Sequence, residues 1–145
     1  MNNHWNLKDR QLMSNEKGMV ELLRKAGYSE KAIDYYLRKV NVGVIEGADA
    51  TDSHTGLCGD SMRIYLRVED GVISDAKFQA IGCAGAFASG SALSEMVKGK
   101  TLKEAEKITE WDVIKDLGEL PGPKLHCARL AVDALRKSIG RYMKS

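Results

Sequence analysis

What this sequence lacks narrows it first. No apolar run in its 145 residues approaches the roughly 20 needed to span a bilayer. The segment Met1-Asn2-Asn3-His4-Trp5 has no apolar core of the kind a secretory signal carries, so a cytoplasmic location is the expectation. Charge of one sign is not in excess. The 22 Lys and Arg against 20 Asp and Glu leave a formal +2, which asks for neither nucleic acid nor a membrane as partner. Internal repeats and low-complexity segments are absent. Cysteine is scarce, and its count is odd: three cannot all pair within one chain, which fits a reducing compartment and argues against a disulfide framework. The length suits one ordinary domain with a single core and a small appendage.

What is present centres on residues 57 to 83. Met62, Ile64, Leu66 and Val68 alternate with Arg63, Tyr65 and Arg67, the pattern of a half-buried strand. Asp70-Gly71 then reads as a hairpin turn, because such turns need positive φ. After it, Val72, Ala76, Phe78 and Ala80 point inward, with Asp75, Lys77 and Gln79 outward. Folding the chain about the centre of Asp70-Gly71 sets Cys58 opposite Cys83 and Asp60 opposite Ile81. Directly opposed residues in such a pair have Cβ atoms roughly 5 Å apart. The hairpin thus gathers two thiols and a carboxylate at one end.

Elsewhere the first dozen residues are polar and read as a frayed leader. Met19, Leu22, Leu23 and Ala26 recur at helical spacing within Glu16–Ala26, predicting a short amphipathic helix that either packs on the domain or docks a partner or second copy. Ser29 caps a second helix, Glu30 to about Arg38. Residues 41 to 56 suggest a short edge strand through Val42, Val44 and Ile45, then a flexible loop that delivers Cys58. The small residues Ala84 to Gly90 open a helix running to Lys98. Thr101 with Glu104 forms a capping box for a helix through Ile108, and Thr109 begins another through Leu117. Leu120-Pro121-Gly122-Pro123-Lys124 reads as rigid and non-helical. A long last helix follows, with Ala128, Val132, Leu135, Ile139 and Tyr142 on one face and His126 and Cys127 in its first turn.

Cys83 and Cys127 therefore each begin a helix, where backbone N–H groups and the helix dipole favour a thiolate, so depressed pKa values are expected at both. A free Cys is commonly a small buried hydrophobe, a lone Asp a turn former, and a lone His a core or surface residue. Here an Asp and a His stand beside cysteines able to converge. Three thiolates with one oxygen or nitrogen donor make a four-coordinate site suited to zinc or an iron-sulfur cluster. Either Asp60 or His126 can supply the fourth ligand, as a harder and more exchangeable donor than a fourth thiolate.

These residues resemble a known family. Tyr28-Ser29-Glu30-Lys31, Asp34, Tyr36, Asn41-Val42-Gly43, Cys58-Gly59-Asp60, Asp75-Ala76-Lys77-Phe78, Gly82-Cys83, Val97-Lys98-Gly99-Lys100 and Lys124-Leu125-His126-Cys127 occur in the order shown by iron-sulfur cluster assembly scaffolds of the IscU type, similar to the amino-terminal domain of NifU. The likeness runs from Tyr28 to about Tyr142. It implies an α+β domain spanning 27–145, with a small antiparallel sheet of about three strands, helices on one face and a long C-terminal helix, preceded by an extension over 1–26. It also implies a labile [2Fe-2S] cluster, or Zn2+ in its place, on Cys58, Cys83 and Cys127 with Asp60 or His126. Persulfide sulfur would come from a cysteine desulfurase to Cys127, with Cys58 and Cys83 as secondary acceptors, and Asp60 would set cluster lability. Apo-proteins would receive the cluster with help from an Hsp70 chaperone and its J-protein, acting on Leu120–Lys124. That segment departs from the family's Leu-Pro-Pro-Val-Lys at Gly122 and Pro123. A monomer or weak homo-oligomer is expected.

Two other readings compete with a non-enzymatic scaffold. One is a zinc-containing sulfur-relay protein using the same ligands. The other is a thiol hydrolase or transferase built on Cys127 and His126, although neighbours on a helix point about 100° apart and are poorly placed as nucleophile and base.

Overall fold

The computed structural model describes residues 7–57, 59–118 and 120–144. Its centre is an antiparallel sheet of three strands in the order β1-β2-β3: β1 (Ala50–Thr55), β2 (Ser61–Glu69) and β3 (Val72–Ile81). Six helices accompany it among the described residues: α1 (Leu7–Lys25), α2 (Glu30–Arg38), α3 (Ala84–Val97), α4 (Leu102–Glu106), α5 (Glu110–Leu117) and α6 (Leu125–Lys144). This is the α+β arrangement expected, with the long last helix lying over β1 and β2 and α3 lying over β3.

The β2–β3 hairpin turns at Asp70 (φ 53°) and Gly71 (φ 76°), both left-handed, as a two-residue turn between twisted strands requires. Its register differs from a uniform fold-back. Val68 faces Ile73, but Arg67 faces Asp75, so Ser74 is the extra residue of a β-bulge. Ser74 Oγ donates to the Arg67 carbonyl at 3.3 Å across this irregularity. Two expectations change as a result. Ile73, not Val72, is the fully buried residue after the turn. Beyond the bulge every β2 residue faces one position further along β3, with Ser61 opposite Ile81, so Asp60 falls level with Gly82 rather than Ile81. Inward alternation at Met62, Ile64, Leu66, Ala76 and Phe78 is otherwise as read.

The edge strand is also displaced. Around Val42 there is only a parallel bridge to Phe78, held by Gly43 N donating to Phe78 O (2.8 Å) and Phe78 N to Asn41 O (3.0 Å). The true strand is the polar run Ala50–Thr55, where a flexible loop was expected. Its partners supply what its side chains do not: β2 pairs with its whole length, and α6 covers one side.

Small residues let α3 come close to the sheet. A Cβ at Gly90 would lie 2.5 Å from Phe78 Cε2, so only glycine admits that ring. Phe87, on the same helix, stacks obliquely on Phe78 and edge-on against Tyr36 of α2, with centroids 6.1 and 5.9 Å away. Ser29 caps α2 by accepting from Ala32 N at 3.0 Å. Thr101 and Thr109 both close capping boxes, with Glu104 and Asp112. The helix expected through Ile108 ends at Glu106.

Two further corrections concern the ends of helices. α1 already runs from Leu7, so the polar leader is helical over much of its length; Lys, Arg, Gln, Met and Glu are good helix formers. Residues 1–6 lie outside the described residues. The inward stripe of α1 is rotated from the expected one: Val20 and Leu23 pack against the core, whereas Met19 and Leu22 are exposed at 40% and 67%. The segment Gly122–Lys124 is a single turn of 3-10 helix feeding α6 rather than a non-helical strut. Proline is tolerated in a first turn because its missing N–H is not needed there. Glycine before it also has no Cβ to clash with the ring.

Candidate metal centre

The site forms where three chain segments meet at the bulge-shifted end of the hairpin. Asp60 precedes β2, Cys83 is the N-cap residue of α3, and His126 and Cys127 begin α6. Cys58 lies outside the described residues. Cys83 Sγ and Cys127 Sγ stand 3.6 Å apart, and His126 Nε2 stands 3.7 Å from Cys127 Sγ. Ligand atoms of Asp60, His126 and Cys127 all fall within 4.8 Å of one another. Two sulfurs each about 2.3 Å from one tetrahedral ion are roughly 3.8 Å apart, and a sulfur and a nitrogen roughly 3.6 Å. The Cys83–Cys127 and His126–Cys127 spacings match, whereas Cys83 stands outside the close group of Asp60, His126 and Cys127, so these four donors would have to shift to share one tetrahedral ion.

Glycine makes the approach possible at two points. A Cβ on Gly82 would lie 3.0 Å from Asp60 Oδ2, and one on Gly85 would lie 3.2 Å from Cys127 Sγ and 3.4 Å from Tyr28 Oη. Leu57 and Ile81 are strongly exposed at the same end of the sheet.

The two thiols do not behave alike, contrary to the expectation for two helix-start cysteines. Cys83 is held down to about 5, first by the hydrogen bond from Cys127, then by the Ala86 and Gly85 N–H groups at the start of α3, with the Lys124 charge adding to them. Cys127 is pushed up, first by that same shared hydrogen bond, then by burial, then by the negative charges of Cys83 and Asp60. One proton therefore serves the pair: Cys83 is the half-buried thiolate and Cys127 the fully buried thiol that donates to it. Helix position alone would have lowered both; burial and a neighbour 3.6 Å away decide otherwise.

Tyr28 and Lys124 belong to this environment by contact, Lys124 from three residues before Cys127 and Tyr28 from the chain ahead of α2. Burial pushes the Tyr28 hydroxyl up to about 12, with the charges of Cys83 and Cys127 adding to the effect. Its sequence distance from Cys83 hides the contact from any pattern. His126 and Cys127 also approach each other more closely than adjacent helical positions suggest, because the imidazole reaches back toward the sulfur at the first turn. The buried, protonated sulfur still lacks the access a nucleophile needs.

A small α+β domain that gathers a thiol pair, an imidazole and a carboxylate at one end of its sheet presents a candidate metal centre. Residues 27–145 match the NifU-like N terminal domain family, and the chain belongs to that family. It is 48% identical over 118 residues to the iron-sulfur cluster assembly scaffold protein IscU 1 of Archaeoglobus fulgidus, covering 81% of this chain and 77% of that one. It is 44% identical over 121 residues to the scaffold protein IscU of Haemophilus influenzae, covering 79% and 94%. Among solved structures, a candidate SUF-system scaffold from Fervidobacterium islandicum AW-1 superposes with a TM-score of 0.65 at 28% identity, over 77% of this chain and 96% of that one.

Proposed function

We propose that this chain is a scaffold on which an iron-sulfur cluster is built as cargo and from which it is passed to apo-proteins. The observation that carries the reading is the pair of sulfurs 3.6 Å apart with an imidazole nitrogen 3.7 Å from one of them, in a member of this family. In this reading Cys58, Cys83 and Cys127 hold a labile [2Fe-2S] cluster, with Asp60 or His126 completing the donor set. The carboxylate or imidazole is the exchangeable corner, which makes release feasible.

Sulfur arrives as the terminal atom of a desulfurase persulfide. A thiolate of this chain attacks it, a new S–S bond forms, and the donor cysteine leaves as a thiolate. Cys127 is the proposed acceptor, with Cys58 and Cys83 as secondary ones. For Cys127 to attack, its proton must leave and its sulfur must be uncovered by the docking partner. Cys83 is already ionised and half-exposed, so both are to be tested. Reduction of the persulfide to sulfide takes two electrons from an external donor. Partners in this reading are a cysteine desulfurase, apo acceptors and an Hsp70 with its J-protein at Leu120–Lys124.

Anaerobic incubation with Fe(II), cysteine and a desulfurase should yield iron and acid-labile sulfide in equal amounts, lost on replacing any of the three cysteines. A colourless protein after that treatment counts against the scaffold. Asp60, His126 and Cys127 lie within 4.8 Å of one another, a grouping that suits a single ion and supports one second reading: a zinc-containing sulfur relay. Zinc that persists through reconstitution, with a trapped persulfide on Cys127 and no cluster, would decide for it.

A further inference from the structure

Next to the sulfur pair the fold gathers donors that none of the roles above uses. A cavity of about 250 Å3 borders Asp60 and His126, and its lining also includes His54 of β1 and Asp133 of α6. His54 lies opposite Met62 in the β1–β2 ladder and so shares that strand's inward face, under α6, where an apolar side chain would ordinarily sit. Its Nε2 stands 3.7 Å from Asp133 Oδ2. That is too long for a hydrogen bond, but it is a separation that two atoms each about 2.1 Å from one ion can adopt. Both side chains are largely covered, at 26% and 34% exposure. His54 Nδ1 makes no hydrogen bond, so the ring's polar contact falls on the Nε2 side alone. Asp60 and Asp133 outnumber Arg129, the single cation of this lining, while on its other side the His54–Asp133 pair borders a groove that carries Arg136, Lys137, Arg141 and Lys144.

Two imidazoles and two carboxylates around one cavity are the donor type that suits ferrous iron, whereas the sulfur pair suits softer coordination. We propose that His54 and Asp133 form an accessory docking site for Fe(II), from which the ion crosses the cavity to Asp60 and His126 and then to the thiols. The iron stays ferrous throughout. It exchanges imidazole, carboxylate and water for sulfur, and Cys127 releases the proton of the pair to solvent as it binds. This inference rests on the scaffold reading for its choice of metal.

The test is an anaerobic titration of the full chain with Co(II) alone, followed by visible absorption and by the histidine ring resonances. Two ions should bind: one with intense sulfur-to-cobalt charge-transfer bands, and a second with none, whose binding moves the His54 ring signals further after those bands have saturated. His54→Asn should abolish the second and keep the first, and Asp133→Asn should weaken the second at least about tenfold. With one equivalent of Fe(II), the His54→Asn variant should assemble cluster several-fold more slowly than the unaltered chain, and excess iron should restore the rate. His54 signals that make no further movement once the charge-transfer bands have saturated in the unaltered chain overturn the site, whether or not any variant folds. Equal rates at one equivalent overturn the transit role. If Co(II) moves His54 but no cluster forms, the scaffold reading falls and the site stands; if cluster forms with His54 silent, the reverse holds.

Discussion

At the scale of single residues, the shared proton of Cys83 and Cys127 has a thermodynamic consequence. In the unfolded chain both thiols titrate near 9.0, while in the folded chain Cys83 titrates near 5 and Cys127 above the ordinary value. Below about pH 5 both states hold two protons and the pair adds no slope. Between about 5 and 9 the unfolded state holds one more proton than the folded, so stability rises with pH. Above about 9 the unfolded state loses both while Cys127 keeps its own, so stability falls. Thermal melts of the metal-free chain from pH 5 to 10, less those of Cys83→Ser, should show a difference that rises from about pH 5 to about 9 and then levels off, because burial still holds Cys127 up in the variant; a flat difference would show that the pair does not share a proton in this way. Asp60 offers a second check. If its carboxylate is the exchangeable corner, Asp60→Ala should lengthen cluster lifetime and slow transfer, as read from the decay of visible absorbance with and without an apo-acceptor; an unchanged lifetime removes that role.

At the scale of elements, the close approach of α3 to β3 is set by glycine. With a Cβ built only 2.5 Å from the Phe78 ring, Gly90→Ala must push α3 or the ring away. Overpacking of this kind costs about 1–3 kcal/mol, so the denaturation midpoint should fall with an unchanged urea m-value. Because α3 carries Cys83 at its start, the variant should also bind Co(II) more weakly through sulfur; full stability would mean that the ring has room to turn. The helices were legible because their signals are local: Ser29, Thr101 and Thr109 each cap their own helix, and the apolar stripe of α6 repeats within one segment. Strand β1 was not legible, because Ala-Thr-Asp-Ser-His-Thr has no apolar alternation and is a strand by virtue of β2 beside it. The bulge at Ser74 was equally hidden. An alternating pattern tolerates one extra residue without announcing it, yet that residue moves every partner beyond it by one position.

At the scale of the whole molecule, the candidate metal donors come from chain segments separated by the entire hairpin and by most of the helical layer, so a bound metal would tie the loop before β2, α3 and α6 together. An ion that binds the folded chain and not the unfolded one adds about 2.7 kcal/mol at a hundredfold excess over its Kd, which for a chain of this length is roughly 5–10 °C in Tm. Zn(II) should raise the melting temperature by that order, and Cys127→Ser should abolish the rise; a Tm indifferent to zinc would count against the assembled donor set. The amino-terminal helix contributes less to this unit. It touches the core through Val20 and Leu23, and the family match begins only at residue 27.

The amino-acid sequence by itself determined the element types with local signals, the end of the hairpin where a thiol and a carboxylate meet, and the presence of His126 beside Cys127. Each of these follows from periodicity, caps and turn chemistry that act over a few neighbouring residues. Tertiary structure alone decided that Asp60 faces Gly82, that Cys127 keeps the proton Cys83 gives up, and that Tyr28 joins the site. It also set His54 against Asp133 under α6. The physical reason is the same throughout: register past a bulge, burial and the distance between two thiols depend on residues far apart in the chain, and they exist only once the sheet and its helices have closed on one another.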